Sequence, residues 1–88
     1  MKLADPVVHD LLARLRRIEG QARGVQRMIE DGRDCTEIVR QVSAMRAALA
    51  KVAMGIVSEN LEECLRRGLT PEEEPELRRA KQAFLDFV

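Results

Sequence analysis

The sequence predicts an all-α chain of three helices, in which two long rods fold back on each other and need a second copy to enclose a core. Three observations carry this. Apolar residues recur at alternating steps of three and four along two long stretches, the spacing of a helix that buries one stripe. No segment alternates as a strand does, and no internal repeat, glycine-rich phosphate loop or linker interrupts the pattern. The 88 residues contain no Trp, no Tyr and only two Phe, so the apolar content is almost entirely aliphatic. A domain of this size buries only about 60–65% of its unfolded surface. Residues 1–88 therefore read as a single domain, and the economical assembly is an antiparallel four-helix bundle built by two chains.

The first helix is expected over about Asp5 to Asp31, where Val8, Leu11, Leu15, Ile18, Ala22, Val25 and Ile29 form the stripe. Pro6 lies near its start, where a missing N–H costs nothing, and Asp31-Gly32 ends it with a residue that tolerates a left-handed cap. Gly20 and Gly24 inside it cost about 1 kcal/mol each relative to Ala, which either allows close helix contact or is simply tolerated.

The second helix is expected to start after Gly32, with Asp34 capping free amides, Glu37 reciprocating as a capping box, and Cys35 at the first helical position. Ile38, Val42, Met45, Leu49, Val52 and Ile56 continue the stripe, and Ala47, Ala48, Ala50 and Ala53 keep other faces slim. The pattern runs to about Arg67, and Gly68 ends it. Thr70-Pro71 with Glu73 marks a third, shorter helix reaching toward Val88, with Ala80, Phe84 and Phe87/Val88 as its apolar face. Pro75 either bends its first turn or moves its start toward Glu76.

Formal charge is zero, but residues 1–51 hold ten Lys/Arg against seven Asp/Glu and residues 52–88 hold five against eight. A local basic surface thus survives within a neutral total. No stretch approaches the roughly 18 apolar residues of a membrane span and no signal-peptide pattern opens the chain, so a cytoplasmic location is expected. Enzymatic signals are nearly absent. His9 is the sole histidine, and no nucleophile–base pairing or cofactor fingerprint accompanies it, so neither catalysis nor a resident cofactor is expected.

Cys35 and Cys64 are the informative pair. A continuous helix would separate them by roughly 43 Å at about 1.5 Å per residue, far beyond disulfide reach. In an antiparallel dimer, however, the start of one second helix lies beside the end of the other, so Cys35 can face Cys64 of a second copy, twice per dimer. Cys35, at the amide-rich helix end beside Arg33, is the better nucleophile; Cys64, beside Glu62 and Glu63, suits the resolving role. Asn60 shares the face of Cys64, and His9 is a further possible neighbour of the thiols. An amide is a poor ligand for soft metals, whereas a His at position 60 would have completed a Cys/His/Cys site for Cu(I). No metal is therefore assigned, although two thiolates alone can hold Cu(I) linearly.

The basic residues Arg14, Arg16, Arg17, Arg23 and Arg27, with Arg40, Arg46 and Lys51, include no aromatic platform and no recognition-helix turn. On their own they fit either a phosphate-binding surface or the solvated face of a helical adaptor.

The run Arg14 to Gly24 (RLRRIEGQARG), then Asp34-Cys35, then Gln41 to Ala44 (QVSA) resembles the CsoR/RcnR family of ligand-responsive transcriptional repressors over essentially the full length. The resemblance implies an all-α fold, disc-shaped tetramers formed as dimers of antiparallel dimers, and operator DNA bound without a helix-turn-helix. It also implies a sensing site of Cys35, Asn60 and Cys64, where copper sensors of the family have Cys, His and Cys. The run Met54 to Cys64 (MGIVSENLEEC) is similar to the persulfide-sensing CstR subgroup, which keeps both thiols and lacks the His. By the same resemblance Arg14 and Lys51 match operator-binding positions, Lys51 standing where an Arg is common, with Arg17 and Gln21 as weaker matches. The implied function is a repressor that releases operator DNA when persulfide or polysulfide links Cys35 to Cys64 of the partner chain; a Cu(I) sensor is the alternative.

Overall fold

The computed structural model describes residues 3–68 and 70–87, apart from the side chains of Asn60, Glu63, Cys64 and Leu65. Three α-helices run in order: α1 (Asp5–Glu30), α2 (Cys35–Arg67) and α3 (Glu73–Phe87). Among the described residues there is no strand.

Ala4 precedes α1 in extended conformation without a side-chain cap, and Pro6 sits in the first turn, where amides have no intrahelical partner to lose. Gly32 ends α1 at φ 68°. Its N–H donates to the Ile29 carbonyl at 3.2 Å, and the Arg33 N–H donates to the Met28 carbonyl at 3.0 Å, the paired bonds of a Schellman cap. Four residues therefore suffice to reverse the chain. The Asp34 carboxylate accepts from the Thr36 N–H at 3.1 Å and caps α2. Glu37 does not complete the expected box: its carboxylate takes the Arg33 guanidinium at 2.7 Å, a charge-assisted bond that outcompetes a neutral backbone amide.

The reversal lays α1 antiparallel on α2. Leu11, Ile18 and Val52 form the buried centre, with Leu3, Val7, Met45, Ala48 and Ile56 packed around it. The close approach of the rods is at Gly55, where an added Cβ would lie 3.4 Å from Leu11 Cδ2. Gly20 and Gly24 are merely tolerated within the chain, because Cβ atoms there would meet nothing nearer than 4.0 Å.

Gly68, at φ 86°, follows the end of α2. The Glu73 N–H donates to Thr70 Oγ1 while the Thr70 N–H donates to Glu73 Oε1, both at 3.3 Å. This is a reciprocal capping box with Pro71 at the first position inside it. Pro75 falls within the first turn of α3 and moves its start nowhere. α3 folds back along α2: Ala80, Ala83, Phe84 and Phe87 face Ala53, Ile56 and Val57 across an apolar groove. Val88, expected to extend that face, lies outside the described residues.

The result is a slab of 54 × 25 × 14 Å. Only part of each predicted stripe is covered: Leu15 and Ile29 of α1 and Val42 and Leu49 of α2 remain exposed.

Candidate functional site

Arg14, Arg17 and Gln21 fall at i, i+3 and i+7 on α1, which places them on one helical face. The antiparallel register brings Lys51 of α2 opposite them. These four side chains line a single cleft of about 340 Å³ together with Ile18, Ala44, Ala47 and Ala48. The alanines lie with Lys51 on α2, and their small side chains leave that side of the cleft open. All four polar residues are exposed. Among the described residues Arg17 and Lys51 have no ion pair, whereas Arg14 Nε donates to Asp10 Oδ2 at 3.0 Å. Two free cations and one paired one around an open hollow suit a monoanionic oxygen cluster such as a phosphodiester.

Arg16, Arg23, Arg27, Arg40 and Arg46 are exposed but do not line this cleft. The family resemblance names all four positions; that Lys51 stands across from the α1 residues follows from the register of the hairpin. The contribution of Asp10 was missed, although its spacing of four residues before Arg14 is a recognisable helical ion-pair signal.

Cys35 opens α2 as an exposed free thiol. α2 is one helix from Cys35 to Arg67, so helical rise holds Cys64 roughly 43 Å away in the same chain. The side chains of Asn60 and Cys64 lie outside the described residues. His9 is exposed, two residues before Leu11, whose contact with Gly55 puts it at the loop-distal end of the hairpin. That is the end at which α2 carries Asn60 and Cys64, and within one chain it is remote from Cys35. Among the described residues no group of three or more His, Cys, Asp or Glu could hold a metal ion. The thiols suit a soft two-coordinate ion such as Cu(I), or sulfur exchange, only where two chains each supply one.

No helix among the described residues is long and apolar enough to cross a membrane. Residues 8–86 match the model of a family described as metal-sensitive transcriptional repressors. The copper-sensing transcriptional repressor RicR of Mycobacterium tuberculosis is 45% identical over 56 residues, which is 64% of this chain and 58% of that protein. The copper-sensing transcriptional repressor CsoR of Bacillus subtilis is 44% identical over 52 residues, 59% of this chain and 52% of that one. The chain thus matches little more than half the length of these relatives. The crystal structure of the copper-sensing repressor CsoR with Cu(I) from Geobacillus thermodenitrificans superposes with a TM-score of 0.79 at 34% identity, covering 97% of this chain and 93% of that one.

Proposed function

The chain belongs to the metal-sensitive transcriptional repressor family, a family of regulators rather than enzymes, and on that premise we propose that it binds operator DNA through the basic cleft and releases it when its thiols react with sulfane sulfur. The observation that carries the DNA-binding reading is the meeting of Arg14, Arg17, Gln21 and Lys51 around one hollow. Repeated in each copy of an antiparallel dimer, and again in a tetramer of two dimers, the cleft becomes a broad phosphate-binding surface with steep salt dependence.

The effector reading rests on Asn60 standing where a soft-metal ligand would be needed for a three-coordinate copper site. The Cys35 thiolate takes the terminal sulfur of a persulfide and releases the donor as its thiolate. Cys64 of a second copy then attacks the Cys35 sulfur, expels hydrosulfide and closes an inter-chain disulfide; longer polysulfide donors leave extra sulfur in the bridge. Moving a two-state equilibrium almost completely takes about 5.5 kcal/mol of differential stabilisation, which a covalent link can provide.

The test uses a duplex selected in vitro for binding. Persulfide treatment should release it and give a dimer that survives without reductant and weighs two chains less two hydrogens per disulfide, with whole sulfur atoms added when a polysulfide is the donor. Cys35→Ala should bind the duplex normally and ignore the donor; release by persulfide in that variant would refute the assignment.

Cu(I) is the second reading, favoured by the copper sensors among the relatives. Two thiolates, one from each chain, would hold it linearly. Anaerobic titration against a competing chelator separates the two: tight, stoichiometric binding that releases DNA selects copper, and weak binding that leaves the complex intact removes it.

A further inference from the structure

We infer that Asp10 is a positioning residue of the basic cleft that holds Arg14 away from phosphate and so lowers operator affinity; this rests on the reading of that cleft as the DNA-contacting surface. The observation is an acid built into a basic trough. Asp10 Oδ2 lies 3.0 Å from Arg14 Nε, one helical turn away. The two residues also line a second hollow of about 330 Å³ with Lys51, Met54 and Gly55. Arg14 and Lys51 are common to both hollows, so the two adjoin at that pair: the first is lined by Arg14, Arg17 and Lys51, and the second adds the Asp10 carboxylate.

Two opposite effects follow from the pair, and their sizes decide the sign. An exposed i,i+4 pair orders Arg14 only weakly, by about twofold in population. Against this, a carboxylate at hydrogen-bond distance cancels most of one positive charge as seen by DNA. One neutralised phosphate is worth about 0.9 in the slope of log K against log salt, roughly eightfold between 1 M and 0.1 M salt. The charge effect wins, and Asp10 acts as a brake that works through Arg14. In its free state the chain spends the Arg14 Nε on Asp10; binding DNA makes phosphate compete for that guanidinium.

Asp10→Asn keeps the size and the acceptor oxygen while removing the charge. With the full chain and the selected duplex at 0.1 M salt, it should tighten binding about 3- to 10-fold and steepen the salt slope, toward about 0.9 more per contacting chain. Asp86→Asn removes the same charge from α3, where Asp86 accepts from Gln82 at 2.9 Å, and should change neither quantity. Asp10→Asn should gain clearly less in the Arg14→Ala background than in the parent. Equal tightening by Asp86→Asn, or an undiminished gain in the Arg14→Ala background, would overturn the inference, as would an unchanged affinity and slope in Asp10→Asn while Arg14→Ala still weakens binding. An Arg14→Ala protein that binds as well as the parent would instead overturn the cleft reading itself. Circular dichroism checks the fold of each variant, and Asp10→Ser replaces Asp10→Asn if the latter misfolds.

Discussion

Glu73 joins two elements through one carboxylate. It accepts a fork from Arg67 at the end of α2, at 2.7 Å for the Nη1 bond, and also accepts from Thr70 Oγ1 at 2.8 Å. The Arg67 fork and then the Thr70 hydroxyl hold its pKa down at about 2, against an ordinary 4.5. A depressed folded-state value contributes stability above the unfolded value, and that contribution is lost as pH falls from about 4.5 toward 2. Glu73→Gln should therefore be less stable than the parent near neutrality, and the gap between the two melting temperatures should narrow on acidification across that window. Thermal melts at stepped pH check it; a gap that stays constant from pH 6 to 2 would mean that the carboxylate charge contributes nothing. Lys51 poses the complementary question for binding. Its ammonium lacks the bidentate fork of a guanidinium. Lys51→Ala should cost several-fold in operator affinity and flatten the salt slope by about 0.9 per contact, while Lys51→Arg should retain both, as fluorescence anisotropy across a salt series would show.

At the scale of elements, α3 is the weak one. Among the described residues it packs on α2 and not on α1, and it depends on the Thr70 cap for its start. Removing a Thr cap costs about 1 kcal/mol, so Thr70→Ala should leave α1 and α2 intact and raise hydrogen exchange selectively through residues 73–87. Uniform acceleration over the whole chain would instead mean that the three helices open together. The three elements and most of their ends were legible in the sequence because their signals are local: stripes of helical period, Gly32 and Gly68 just past the helices, and Thr70-Pro71 with Glu73 at the third start. What could not be read depends on competition or on register. Glu37 chose Arg33 over the amide it was expected to cap, a choice made by the relative strength of two nearby donors. The close approach at Gly55 rather than Gly20 or Gly24, and the meeting of Lys51 with Arg14, follow from how one rod is phased against the other. A single helix does not contain that information.

For the whole molecule, the deciding fact is how little one chain hides. Among the described residues only three are buried, a small centre for two helices of 26 and 33 residues, since each fully buried aliphatic side chain contributes only about 1.5–3 kcal/mol. Leu15, Val42 and Leu49, exposed at 37%, 49% and 36%, belong to the same three-four stripes as Ile18, Met45 and Val52. They are the part of the heptad that a second hairpin would cover in the proposed dimer. The proposed sulfur bridge makes the same demand, because one continuous α2 keeps Cys35 and Cys64 of a single chain roughly 43 Å apart. Charge placed on the stripe should therefore disable assembly and sensing together. Leu49→Asp would bury an unpaired carboxylate if the bundle formed, which is costly enough to favour dissociation. In sedimentation experiments the variant should run smaller than the parent at the same concentration. The parent's melting temperature should rise with protein concentration, as expected when folding and association are linked. Persulfide should then fail to cross-link Leu49→Asp even though both cysteines remain. If Leu49→Asp still forms the inter-chain disulfide at the parental rate, this stripe is not the surface that brings the thiols together.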